Sequence, residues 1–286
     1  MNTFTLDGHT TSEWGIGLSA GGAYDAPARK GESISVPGRN GNIWVDGGAY
    51  ENIMLTYPCW MSEGFDIDID DFRAFLSLHS DRYYKLTDTY HPGEYRMARY
   101  AGPFTPQLGT SNKSGRFDVV FDCQPQRFLD SGNTWMNVTI PDQNPPIRLL
   151  SALNPTRFNA YPLLCIAGTG AAPSGVSYSL LEFQFLNFTE RTNNIFQIRG
   201  YQANKYYYLD MQNFSVFEGD SADVDDMTGL VRSSARIYYN SAVLEDPFLY
   251  GFALFPGTNR ISLTSLRVSG VVPLTHFSIK TRYWTI

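Results

Sequence analysis

The chain has 286 residues, 43% of them hydrophobic and 17% charged, with a formal net charge of −6. That is too much apolar material and too little charge for a disordered chain, and the acidic balance offers no broad attraction to nucleic-acid phosphate. Aromatic residues make up 15% of the chain, including 18 Tyr and 19 Phe, a composition suited to pleated, half-buried surfaces.

Taken in order, Met1 to Asp7 lacks a basic region before an apolar run and does not read as a signal peptide. The longest apolar stretches, such as Phe248 to Phe255, are too short to span a bilayer, so no membrane insertion is expected. Phe4 to Leu18 is short and mixed, broken by Gly8, Gly15 and Gly17. Ile34 and Val36 then alternate with serines, and Ile43 and Val45 alternate with Asn42, Trp44 and Asp46. Between them, Pro37-Gly38-Arg39-Asn40-Gly41 supplies positions that accept positive φ, so the pattern predicts a β-hairpin. Ile53 to Tyr57 reads as a strand, with Pro58 marking an edge or a strand end. Phe72, Phe75 and Leu76 have helical spacing behind a cluster of aspartates, which predicts one helix near Asp70 to His79. Tyr83 to Leu86 and Arg96 to Tyr100 read as strands around the His91-Pro92-Gly93 turn. Phe117, Val119, Phe121 and Cys123 alternate with polar residues as a half-buried strand that Pro125 ends.

Prolines 141, 145, 146 and 155 punctuate a polar stretch that reads as a linker. The expected division is therefore an N-terminal domain over 1–135, a linker over 136–159 and a C-terminal domain over 160–286. The last part carries many short strand signals separated by Gly, Pro and Asn, the pattern of a sandwich or jelly roll. These run from Leu163 to Ala167, Leu181 to Phe188, Tyr206 to Leu209, Phe214 to Phe217, Arg236 to Tyr239, Gly251 to Phe255, Arg260 to Leu263 and Phe277 to Tyr283. Gly175 to Arg199 offers no anchor for a strand layout.

Catalytic and metal chemistry find little purchase. Cys59, Cys123 and Cys165 are scattered, with no CxxC pair, so a zinc or thioredoxin-like site is not indicated. Asp66-x-Asp68-x-Asp70 opens like a calcium loop, but the sixth and twelfth positions are Asp71 and Ser77 instead of Gly and Glu. The second acidic run, Asp220, Asp223, Asp225 and Asp226, reads as an exposed loop. Gly168-Thr169-Gly170 through Gly175 lacks a phosphate-loop lysine and reads as a turn. His9, His79, His91 and His276 form no HxxxH pair. Tyr206, Tyr207 and Tyr208 alternate faces on a strand, so about half of such tyrosines belong to a core instead of a sugar-stacking surface. No enzyme, cofactor or metal is expected.

Several separate segments, in order, resemble siphophage distal tail proteins (Dit). They are Phe4, Leu6, Gly8 and Trp14-Gly15; Val36 to Gly41; Tyr83-Tyr84-Lys85-Leu86; Tyr95-Arg96-Met97-Ala98; and Phe121-Asp122-Cys123-Gln124-Pro125. In the second half they are Asn154-Pro155-Thr156, Pro162 to Gly168, Tyr208-Leu209-Asp210, Phe255 to Ser262 and Arg282-Tyr283-Trp284. The resemblance implies a mainly β protein: an N-terminal β-sandwich with one α-helix and a β-hairpin, then a galectin-like or carbohydrate-module-like β-sandwich. It implies a virion structural protein of a phage or prophage tail tip, made in the bacterial host cytoplasm. Six copies would form a ring joining the tail tube protein to a tip or baseplate hub protein and to the host-adsorption apparatus. Pro37, Gly38, Arg39, Asn40 and Gly41 are the candidate ring or tube contact. The alternative is a carbohydrate-binding protein whose C-terminal sandwich holds host cell-wall polysaccharide; the same domain could dock a receptor-binding protein.

Overall fold

The computed structural model of the protein describes residues 1–19, 24–109, 113–139, 147–168, 180–187, 192–199, 202, 205–213, 215–225, 227–233, 236–239, 253–265, 271–272 and 274–286. Contacts divide the chain into Met1–Asp130 with Thr285–Ile286, and Ser131–Trp284. The chain is mainly β, with one α-helix and a hairpin in its first half, as the sequence pattern predicts. Among the described residues no helix is long and apolar enough to cross a membrane.

The first unit contains β1 (Phe4–Leu6), β2 (His9–Thr10), β3 (Ile16–Leu18), β4 (Arg29–Ile34), β5 (Ile43–Tyr50), β6 (Ile53–Met61), α1 (Phe65–Leu78), β7 (Tyr84–Asp88), β8 (Glu94–Tyr100), β9 (Gln107–Leu108) and β10 (Gly115–Leu129). Its main sheet runs β2-β1-β7-β8-β10-β6-β3, with β9 also on β10. The pairings among these strands are antiparallel. Phe117, Val119, Phe121 and Cys123 are buried, as their alternation requires. Phe121 meets Phe4 edge-on at 5.2 Å and Tyr57 at 6.0 Å. Truncating such a fully buried ring to alanine costs about 3–5 kcal/mol.

Three predicted boundaries move. The helix begins at Phe65, not Asp70, because Phe65 and Ile69 extend the apolar stripe of Phe72, Phe75 and Leu76 toward the N-terminus. Asp66 and Asp68 then occupy the first turn, where their charge complements the helix dipole. Pro58 lies inside β6 instead of ending it. In an antiparallel ladder a residue's N–H and C=O face the same neighbour. The Pro58 carbonyl accepts from Ser19 N at 2.8 Å, just past the end of β3, so the missing N–H also falls there and not in the ladder to β10. Pro125 likewise interrupts nothing, because it sits where the β8 register shifts between Cys123 and Arg127 and the strand continues to Leu129.

The second unit holds β11 (Met136–Asn137), β12 (Ile147–Asn154), β13 (Leu163–Gly168), β14 (Leu180–Asn187), β15 (Thr192–Arg199), β16 (Tyr206–Asp210), β17 (Ser215–Gly219), β18 (Val231–Arg232), β19 (Arg236–Tyr239), β20 (Gly257–Ser265), β21 (Val271–Val272) and β22 (Leu274–Lys280). They form two six-stranded sheets, β11-β22-β13-β16-β17-β18 and β12-β20-β14-β15-β19, with β21 parallel to β14 in the second. The stretch 136–159, expected as a linker, contains β12, which pairs along its whole length with β20. Its strand signal is masked in the sequence by the prolines just ahead, and 140–146 lie outside the described residues. So do most of the predicted Gly168 to Gly175 turn and the start of the strand predicted from Gly251, where the structure describes only a bridge between Leu254 and Ala160.

Strand β13 is buried at every position. Leu164 and Ile166 pack in register with Leu209, Tyr207, Ile279 and Phe277 on one face. On the opposite face Leu163, Cys165 and Tyr208 form a second cluster with Trp135, Phe217, Val224 and Met227. A central strand covered on both sides therefore buries both Tyr207 and Tyr208, where alternation alone predicts one in and one out.

Candidate assembly surface

The residues singled out in the sequence lie at the tip of an arm. Strands β4 and β5 pair only with each other among the described residues, in the register Ile34↔Ile43, Ser33↔Trp44, Glu32↔Val45 and Gly31↔Asp46. Val36 to Arg39 closes a turn, with Arg39 N–H donating to the Val36 carbonyl at 3.2 Å. Pro37 presets the second position and Gly38, at φ +81°, supplies the left-handed third position of a type II turn. Pro37, Gly38, Arg39, Asn40 and Gly41 are all exposed, and Arg39 makes no ion pair among the described residues.

The base of the arm is clamped. Arg29 donates to both carboxylate oxygens of Asp46, from Nε at 2.8 Å and from Nη2 at 2.7 Å, and its guanidinium lies 4.7 Å from the centre of the Tyr50 ring. Asp46 also accepts from Gly48 N–H at 3.0 Å. The Arg29 guanidinium, helped by that backbone donor, holds the Asp46 carboxyl down at about 2. Lys30 stands 3.8 Å from Glu51, and Glu51 N–H donates to the Ala28 carbonyl.

The alternation in the sequence predicts the hairpin, and the structure exposes both of its faces. Ile34, Ile43 and Val45 share one face, at 40%, 38% and 48% exposure, and Trp44 stands on the other at 56%. Trp44 lies diagonally over Gly31, where an added Cβ would sit 2.3 Å from its ring. A two-stranded hairpin is marginal by itself in water, and this one leaves apolar side chains exposed on both of its faces. The sequence pattern locates the turn but not the exposure of these side chains, because alternation reports a face only when one side packs on its own chain.

In the second unit, no described aromatic side chain is exposed. Tyr207 and Tyr208 are buried, so neither is a stacking platform for a sugar. The structure also gathers three residues that the sequence keeps far apart, Cys165, Asp223 and His276. The acidic run to which Asp223 belongs is thus not simply a solvated loop.

No protein-family profile and no curated protein matches the chain. Among solved structures, it is similar over 100% of both chains to SPP1 Dit (gp 19.1), described as a paradigm of hub adsorption apparatus in Gram-positive infecting phages, with a TM-score of 0.61 at 12% identity. Components of the phage p2 baseplate in its activated conformation, with Sr and with Ca, cover 94% of the chain at 9% and 10% identity, with TM-scores of 0.45. The chain therefore has a Dit-like fold, the fold that the ordered motifs imply.

Proposed function

We propose that this protein is a structural component of a phage or prophage tail tip, a distal tail hub whose six copies close into a ring between the tail tube and the tip or baseplate. The observation that carries the reading is the β4–β5 arm: two strands clamped at the base, unsupported by any other described sheet, with apolar side chains on both faces, on a chain with a Dit-like fold. A closed ring of identical subunits uses head-to-tail contacts, in which a projecting element of one copy lies on a different surface of the next. The two outer edges of the arm join no other described sheet, so they can add to a neighbour's sheet. The function is assembly, not catalysis, and its site is the virion tail. Partners in this reading are copies of the chain, the tail tube protein, a tip hub protein and the host-adsorption components.

Light scattering of the full chain over a range of concentrations tests the reading. A species of six subunits, six times 32.2 kDa or about 193 kDa, is the expected result. Arg39→Glu places the opposite charge at the arm tip and should weaken the association by removing a cross-subunit pairing with a carboxylate. Unchanged association in that variant would leave the tip as a turn without a contact role.

A further inference from the structure

The face of the β13–β16–β22 sheet opposite its main core is crossed by residues 220–225, which follow β17. Tyr208 Oη donates to the Ser221 carbonyl at 2.6 Å and accepts from Val224 N–H at 3.2 Å. Trp135 Nε1 donates to the Val224 carbonyl at 3.1 Å, and Lys280 Nζ lies 3.0 Å from Asp225. The segment is thus strapped to the sheet, and it carries Asp223 in the left-handed conformation, at φ +53°.

Beneath the strap, register brings unlike ligand types to one place. Cys165 pairs with Ser278 on one neighbouring strand and with Tyr208 on the other. Directly paired residues share a face, and His276 lies two residues from Ser278, so it joins them. Asp223 descends from the strap onto this row, its Oδ1 at 3.1 Å from His276 Nε2. Ser278 Oγ donates to the same carboxylate oxygen and lies 3.3 Å from His276 Nε2. One donor atom each from Cys165, Asp223 and His276 falls within 4.8 Å of the other two. Cys165 is fully buried, and the other two are mostly buried.

We propose that Cys165, Asp223 and His276 form a binding site for a borderline transition-metal dication of the Zn2+ class, which pins the 220–225 strap to the sheet. A thiolate, an imidazole and a carboxylate are the donor set such an ion prefers over Mg2+ or Ca2+, which take oxygen. The charges also close: thiolate and carboxylate bring −2 and imidazole none, so a dication neutralises a buried cluster. Binding expels the Cys165 thiol proton to solvent and forms the sulfur–metal bond in its place. Because binding releases that proton, affinity falls as the pH falls. Ser278 orients the carboxylate and is a positioning residue. This site is independent of the assembly reading.

The test is titration of the full chain with Co2+ under reducing conditions, after chelator treatment and desalting. A thiolate-to-Co2+ charge-transfer band that saturates at one equivalent and is erased by Zn2+ is expected. Cys165→Ser should abolish the band, and His276→Gln and Asp223→Asn should each weaken binding by at least about 10- to 100-fold. Asn tolerates the left-handed backbone as Asp does, so Asp223→Asn keeps the fold. At equal concentration Zn2+ should accordingly raise the melting temperature of the wild type by more than that of Asp223→Asn. No band in the wild type overturns the proposal. So does a band of wild-type strength in both His276→Gln and Asp223→Asn, which would mark an adventitious ion on another thiol.

Discussion

Replacing Trp44 by threonine keeps a β-favouring residue opposite Ser33 and removes the largest exposed apolar side chain of the arm. A tryptophan presents up to ~250 Å². At 56% exposure, about 140 Å² of Trp44 remains for a partner to cover, worth about 3.5 kcal/mol at ~25 cal/mol per Å². Ordering costs at an interface absorb part of that, leaving about 2–3 kcal/mol per contact, or a ~30- to 150-fold loss of affinity. In a ring every contact is weakened alike, so the concentration for half-assembly should rise by at least that factor. Light scattering across a concentration series reads it directly, with circular dichroism to show an unchanged β spectrum. Superimposable association curves for wild type and Trp44→Thr would refute the claim that this face is buried in an assembly. A wild-type chain that stays at 32.2 kDa throughout would refute self-association through the arm.

Gly31→Val should reproduce the Trp44 effect without touching Trp44, since its Cβ would lie 2.3 Å from the indole and 2.7 Å from the Val45 carbonyl; a shift in tryptophan emission with the fold retained would register the displaced ring. The Arg29–Asp46 clamp should hold until strongly acid pH. The Asp46 carboxyl is lowered from 3.8 to about 2, so its stabilisation is complete above about 4 and is lost as the pH falls through about 2. A carboxyl-carbon NMR titration of Asp46 with its midpoint at 4 or above would contradict the clamp. Asp210→Ala should destabilise the second unit by about 3–5 kcal/mol in denaturant unfolding, because the buried carboxylate accepts from Arg282 Nη1 at 2.7 Å and from the backbone of Gln212 and Asn213. A loss below about 1 kcal/mol would show that Arg282 finds water instead.

Much of the fold was legible because local pattern and burial coincide. The alternation from Phe117 to Cys123 survived as a buried row, and the glycine-bearing turn after Val36 became the arm tip. Prolines were the main source of error. Pro58 and Pro125 look like strand ends, yet each sits where its missing N–H removes no ladder bond, a fact that depends on which neighbour lies on which side. The prolines ahead of Ile147 hid a strand whose partner is over a hundred residues away.

The candidate sites divide along the same line. By itself the sequence determined the class of the chain, its hairpin and helix, and the ordered motifs of a Dit-like protein, because period-2 and helical spacing and turn chemistry act over a few residues. Only the tertiary structure decided that the hairpin packs on no described sheet and leaves Trp44 uncovered. It alone placed Cys165, Asp223 and His276 within 4.8 Å of one another. Spacing along a chain fixes which way a side chain points from its own strand, whereas what it meets there is set by strands and loops far away in sequence.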